Sequence, residues 1–598
     1  MTQSLSDTAI DLPSTGKTSQ DAPTNCDSQL SRYAPCIRYL INLLKRPTSN
    51  GLPSGFVHLL DDDSILVIFS FCRPVILDPE RGDDDTHILG GGKWSRERWW
   101  HRLIQVCRRW RYLILESAFH LQVSLVCGRG TPVADMLAHY PPFPLIIDHI
   151  DESHGMTTED MQGILLALQH RDRVRRIRIM KPIPILQELV VALDGVFPVL
   201  EYVFAFPSRY QWYERNMSLN LPDAFRAPHL RHLVLMNFAN PIESPLLTTM
   251  GNLVTLSLNA IPASAHFHPN TLLQLLSLMP QLETVGITFN SYNPSRDAER
   301  QLLRTPITTR VILPNLRWLG FKGTNAYLEA LLPWVTTPLI EKIQIYFFNR
   351  MIYSTSHLRQ FMNTAGNLRL KIATFTFSEN HLNVKAYPYE GAKMYTLYME
   401  LGGKHFDWQV VSAAQVFPAL KSVFSAVEYL IIGYDRFITS SEWDGEADRT
   451  QWRELLGPFS NVKSLRVGYG LVGKLSRVLQ PGEGESPTEL LPELQELSHS
   501  TGGARHNAFT LFVDARQKAG RPVTVRDSLE TRPFGEIIGQ GTWRSVHLYR
   551  LNYYSRTCWF YLCSTPATVT TVLIFEGIYG IKYAPVSLVL FIVTLATP

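Results

Sequence analysis

The chain has 598 residues, 45% hydrophobic and 18% charged, with a net charge of +4. That composition excludes wholesale disorder, which needs low hydrophobicity and high charge, and it provides for more than one structural unit or one long repeat array. The small net charge lacks the basic excess of a nucleic-acid binder, so no nucleic-acid partner is expected.

Residues 1–50 read as a polar, disordered tail carrying one short amphipathic helix over 32–45, with Cys36, Tyr39, Leu40 and Leu43 on one face. The first 23 residues have no apolar h-region, so no secretory signal is expected. Seven cysteines without a CxxC pair or a Cys/His cluster of zinc spacing fit a reducing compartment, cytoplasmic or nuclear, and no metal or cofactor is expected.

Residues 51–125 read as a small helical domain. Asp63 or Ser64 can cap a helix, because a short side-chain oxygen accepts an orphan backbone N–H there. Ile65, Ile68 and Phe69 follow at the spacing of one helical face, and Pro74 ends the run. The insert 78–93, with Asp83-Asp84-Asp85 and Gly90-Gly91-Gly92, reads as an exposed loop. A second helix is predicted over Trp99–Leu115. Leu103, Val106, Cys107 and Trp110 form its buried stripe, Cys107 serving as a packing thiol, and Arg102, Arg108, Arg109 and Arg111 stay largely solvated. Residues 126–170 read as a connecting segment.

From 171 to 500 a motif recurs in which apolar residues occupy positions 1, 4 and 6. It stands at Val174/Ile177/Ile179, Leu200/Val203/Ala205, Leu230/Leu233/Leu235, Leu253/Leu256/Leu258 and Leu282/Val285/Ile287. It continues at Leu316/Leu319/Phe321, Ile340/Ile343/Ile345, Ile372/Phe375/Phe377, Val427/Leu430/Ile432 and Val462/Leu465/Val467. The interval from 372 to 427 has room for one degenerate unit. A proline often precedes the motif (Pro198, Pro228, Pro280, Pro314, Pro338), where a missing N–H costs little at a strand start. Helix-like runs such as Thr271–Met279 and Tyr327–Val335 fall between. This is the leucine-rich-repeat pattern, one strand and one helix per unit, which predicts an α/β solenoid or horseshoe. The period is irregular, and the usual repeat asparagine is mostly missing. The pattern breaks down after Gln480; 501–541 reads as a closing segment around Phe509–Val525, and 542–598 as an atypical apolar tail.

The two stretches Val57–Phe71 and Leu103–Ile114 together resemble an F-box. Families of that kind keep an opening Leu-Pro, a helix ending near Ile-Phe, and a helix containing Val-Cys-(Arg/Lys)-x-Trp. Val106-Cys107-Arg108-Arg109-Trp110 and Ile68-Phe69 fit; Leu59-Leu60 stands in place of Leu-Pro, and the insert 78–93 exceeds the family norm. Followed by leucine-rich repeats, the arrangement resembles the expanded F-box families of mushroom-forming fungi. The resemblance implies a non-catalytic substrate-recognition adaptor of a Skp–cullin–F-box ubiquitin ligase. Its small all-helical F-box-like domain would dock a Skp-type adaptor, and through it the cullin complex, while the repeats bind a target protein. Leu59, Leu60, Ile65, Ile68, Phe69, Val106 and Trp110 are the candidate contact residues, some of which must instead be internal core. The alternative is a leucine-rich-repeat interaction scaffold with no link to a ligase.

Three other features carry weaker readings. Gly468-Tyr469-Gly470-Leu471-Val472-Gly473 is a literal GxGxxG between a predicted strand and a helix-like run, but no second core strand ending in an acidic residue follows. Arg173, Arg175, Arg176 and Arg178 form a basic strand edge, either solvated or suited to an acidic or phosphorylated ligand. The stretch 569–596 is apolar, but Glu576, Lys582 and Pro585 interrupt it, so a membrane anchor within 566–598 is not the expectation. No catalytic constellation stands out.

Overall fold

A computed structural model describes residues 61–72, 99–150, 155–208, 218–239, 242, 244–290, 306–348, 354–392, 394–403, 405–434, 449–482, 484–499 and 508–527, and the backbone of four strands within 548–595. The expected tail and helix of 1–50, Leu59, Leu60 and the insert 78–93 lie outside the described residues. The chain divides into two compact units, one holding the described residues up to Val123, the other those from Ser124 onward.

The first unit is helical: α1 (Asp62–Cys72), α2 (Trp99–Leu103) and α3 (Arg108–Glu116). Asp61, two or three residues ahead of the predicted caps, begins α1, its Oδ1 accepting the Ser64 N–H at 2.6 Å. That bond holds the Asp61 carboxyl below the usual carboxylate range. Asp62 and Asp63 then occupy the first turn, where the helix dipole favours negative charge. The single helix predicted over Trp99–Leu115 is instead two. Cys107 is extended (φ −158°, ψ 168°), and its Sγ accepts the Trp110 N–H at 3.5 Å as the cap of α3. A cap needs a non-helical backbone, so the chain breaks where a thiol can serve as acceptor.

The second unit is mixed α/β, dominated by one sheet of sixteen strands. Its first nine are β1 (Leu125–Cys127), β2 (Leu145–His149), β3 (Val174–Lys181), β4 (Tyr202–Pro207), β5 (His232–Met236), β6 (Thr255–Ile261), β7 (Thr284–Phe289), β8 (Trp318–Gly323) and β9 (Lys342–Phe347). They lie side by side in chain order, all parallel. Seven more follow: β10 (Ile372–Phe377), β11 (His381–Tyr387), β12 (Leu397–Gly402), β13 (Tyr429–Tyr434), β14 (Ser464–Val467), β15 (Glu496–His499) and β16 (Thr524–Asp527).

The repeat motif explains the register. Ile177, Val203, Leu233, Leu256, Val285, Leu319 and Ile343 stand in one row across β3–β9, all buried. Alternation puts the residues between them on the opposite face. Helical returns cover the apolar face: Tyr327, from helix Asn325–Leu331, stacks its ring on Phe321 and meets Phe289 edge-on. Each fully buried leucine or isoleucine in such a row contributes about 1.5–3 kcal/mol.

Strand order reverses once. Beside β9 lies β12, then β11, then β10, then β13. β11 runs antiparallel between β10 and β12, and β10 and β12 keep the common direction. The interval after 372 thus holds two added strands. It also corrects one motif: Ala373 pairs with Leu430 and Phe375 with Ile432, so the triplet in register is Leu370/Ala373/Phe375, two residues ahead of the expected one. The sheet also begins at Leu125, the last residue of the segment read as helical, runs on through β2 inside the 126–170 stretch read as a connection, and continues past Gln480 through β15 and β16. The sequence pattern hid two of these strands because its sixth position is a buried histidine, His149 on β2 and His499 on β15.

Contacts between successive returns are partly polar. Asn325 exchanges two hydrogen bonds with the backbone of Ser354 (2.8 and 2.9 Å). Buried Glu329 accepts the N–H groups of His357 (2.9 Å) and Leu358 (2.8 Å), and the Ser356 hydroxyl (3.2 Å). It caps the helix Ser356–Thr364, whose own cap residue Thr355 makes no side-chain bond. Glu329→Ala leaves the buried Leu358 N–H and the two part-buried donors beside it without this acceptor and is expected to cost about 1–3 kcal/mol, read as a lowered urea midpoint. Glu329→Gln, which keeps one acceptor oxygen, is expected to lose less, and equal losses for the two variants would remove the capping role.

Residues Leu548–Tyr553, Arg556–Thr565, Thr568–Glu576 and Phe591–Leu595 form an antiparallel four-stranded sheet within the segment read as an apolar tail. Among the described residues, no helix is long and apolar enough to cross a membrane.

Candidate protein-interaction surfaces

In the helical unit, α1 brings Phe69 and α3 brings Trp110 into an edge-on contact, ring centroids 4.9 Å apart at 74°. Such pairs add about 0.5–1.5 kcal/mol beyond the area they bury. The Arg109 guanidinium, expected to be solvated, donates from Nε (2.9 Å) and Nη2 (2.6 Å) to Asp62 Oδ1, tying the start of α1 to α3. Ile65 (1% exposed), Phe69 (0%) and Trp110 (7%) are therefore internal, Ile68 is half-buried, and Val106 is 48% exposed in the turn between α2 and α3. Val106 and Cys107, both expected on a buried stripe, lie outside it because the helix is broken there. Exposed Val67 and Tyr112 extend the apolar surface these helices offer.

The sheet face opposite the apolar rows is the second candidate. At its start the predicted arginine cluster is dispersed. Arg173 donates to the Phe143 carbonyl at 3.1 Å, Arg175 pairs with Glu201 at 2.9 Å, and Arg178 pairs with buried Asp148 at 2.9 Å. A shift of register against β2 falls between Val174 and Arg176, where Arg175 is the extra residue.

At the strand reversal the same face carries a group of residues that the motif reading passed over as variable positions. Trp318 and Lys342 pair across β8 and β9; Gly320, Gln344, Tyr398 and Lys385 form the next row across β8, β9, β12 and β11. Lys322, Tyr346, Glu400 and Asn383 form the third. Tyr346 and Tyr398 rings lie 5.0 Å apart, and Tyr395 reaches in from the loop before β12 to 5.4 Å from Tyr398. The Lys342 ammonium sits 4.4 Å from the Tyr395 ring centre and that of Lys385 5.9 Å from Tyr398. Tyr398 donates its hydroxyl to Asn383 Oδ1 (2.7 Å), with Glu400 at 3.2 Å, and burial followed by the neighbouring Tyr346 and Glu400 pushes its phenol pKa up. Glycine is required beneath Trp318: a Cβ at Gly286 would stand 3.1 Å from the indole, and one at Gly320 closer still.

The GxGxxG run has its own local cause. A Cβ on Gly468 would come within 3.0 Å of Gly433 Cα, and one on Gly470 within 2.6 Å of the Tyr434 ring. The Gly468 N–H donates to the Ile432 carbonyl at 2.8 Å, and the Leu471 N–H to that of Gly468 at 3.0 Å. Those two amides are committed to turn and sheet bonds, whereas a phosphate cradle needs amides free to donate. Among the described residues no group of three His, Cys, Asp or Glu side chains is placed to hold a metal ion.

No protein-family model and no curated protein matches this chain.

Proposed function

We propose that the chain is a non-catalytic substrate-recognition adaptor of a Skp–cullin–F-box type ubiquitin ligase. The α1–α3 unit docks the Skp-type adaptor, and the sixteen-stranded sheet with its helical returns is a leucine-rich-repeat solenoid whose polar face holds the target. The observation that carries this reading is the contact of Phe69 with Trp110, reinforced by Asp62 and Arg109: the two stretches that resemble an F-box pack on each other as one helix pair. The repeat motif supports the second half, with one buried triplet per strand across β3–β9. Tethering then supplies the gain, since holding a target beside the ligase raises its effective concentration without new chemistry.

The exposed residues set the test. In a pull-down with a purified Skp-type adaptor, the wild-type chain is retained. Val106→Asp lowers the affinity about tenfold or more, the effect of a charge placed in an apolar contact, while leaving the protein folded. If wild type is not retained, or Val106→Asp binds as wild type does, the docking role is lost.

A further inference from the structure

The patch at the strand reversal has a definite charge and spacing. Across β8, β9, β12 and β11 the polar face presents Lys322, Lys342 and Lys385 against the single carboxylate of Glu400. The lysines at 342 and 385 are stacked on tyrosine rings, which orders them before any partner arrives and reduces the entropy lost on binding. Between them lie Tyr398 and Tyr346, and Trp318 rests on the glycine floor beside them. Tyrosine and tryptophan beside a few fixed charges are the residue types that dominate binding energy at protein interfaces.

We propose that this patch docks an acidic segment of a partner protein, in extended form, with two carboxylates four residues apart and an apolar or aromatic side chain midway between them, so that all three share one face. Lys342 and Lys385 stand two strand spacings apart across the sheet and two residues apart along it, about 12 Å, and four residues of extended chain span about the same distance. The carboxylates meet the two ammonium groups, and the intervening side chain lies on the half-buried rings of Tyr346 and Tyr395, which pack on buried Tyr398. A nucleic-acid strand shares the taste for lysine and stacking, but a backbone carrying a phosphate at every nucleotide and running on from the two lysines toward Lys322 would meet Glu400 in the third row, and the net charge of +4 gives little long-range attraction. The antiparallel β11 is what brings Lys385 here. The assignment rests on the polar sheet face being the target-binding face, and it is independent of adaptor docking.

The test uses the full chain and a fluorescein-labelled peptide Glu-Ser-Tyr-Ser-Glu flanked by glycines, read by fluorescence anisotropy. The peptide binds wild type, and binding weakens with added salt. Lys342→Glu with Lys385→Glu reduces affinity about tenfold or more, Lys342→Arg with Lys385→Arg stays within about threefold, and the glutamine version of the peptide binds poorly. Retention of the Skp-type adaptor by the Glu double variant is measured in parallel and stays at the wild-type level, which separates failure of this patch from failure of the docking reading. The proposal is overturned if wild type does not bind the peptide, if the glutamine peptide binds equally, if the charge-reversed variant keeps its affinity while folded, or if an oligouridylate binds more tightly than the acidic peptide.

Discussion

Phe69→Ala is expected to melt the helical unit while leaving the sheet intact. Phe69 is fully buried and meets Trp110 edge to face, so its removal forfeits transfer energy and leaves a cavity, together about 3–5 kcal/mol. A unit this small has little more stability than that to lose. Removing the Asp62–Arg109 pair is expected to matter much less, because both partners keep solvent contact and exposed pairs contribute at most about 1 kcal/mol. Native-state hydrogen exchange separates these effects. Amides of 62–72 and 108–116 lose protection in Phe69→Ala, and those of β3–β9 keep theirs. Unchanged protection of α1 and α3 would show that the aromatic contact does not hold them. Under the proposed docking role, Phe69→Ala then loses adaptor binding through unfolding, whereas Val106→Asp weakens it at the surface.

Acid is expected to weaken the start of the sheet through His149. This side chain is 4% exposed at the end of β2. Burial, and then the positive charge of Lys181, push its pKa down to about 4, while Asp160 opposes the shift. Asp160 is itself occupied, capping the helix Thr158–Gln169 with Thr157 and accepting the Gly130 N–H at 2.7 Å. The folded state therefore keeps His149 neutral where the unfolded chain, with the ordinary value of 6.5, already binds a proton. The stabilisation is complete above pH 6.5 and is lost as pH falls toward about 4, a change of about 3 kcal/mol from this one group. Urea midpoints across that range are expected to fall more steeply for wild type than for His149→Asn. Parallel slopes for the two proteins would rule the histidine out as the source.

The repeat was legible because a strand with one covered face must alternate. Leu233 and Leu235, or Leu256 and Leu258, announce that alternation in any register. Around 372 the same rule is ambiguous, since both Ile372/Phe375/Phe377 and Leu370/Ala373/Phe375 satisfy it. Only the pairing of Ala373 with Leu430 selects one. Where a buried histidine takes a leucine's place, as at His149 and His499, hydropathy gives no signal, although the backbone pairing is the same. The candidate docking residues divide on similar grounds. Ile65, Phe69, Val106 and Trp110 are all apolar at plausible spacing, but the extended backbone of Cys107 places Val106 in a turn and Trp110 in the core.

By itself the sequence determined what local rules can determine. Buried triplets recur with prolines ahead of them, and two apolar helical stretches precede them. Tertiary structure alone decided the strand order, the division of core from surface, and the meeting of Lys342, Lys385, Tyr346 and Tyr398. The cause is the range of the forces involved. Alternation and capping act within a few residues, whereas the reversal of β10–β12 depends on hydrogen bonds and side-chain packing between segments tens of residues apart, and no local spacing encodes which neighbour each strand will find.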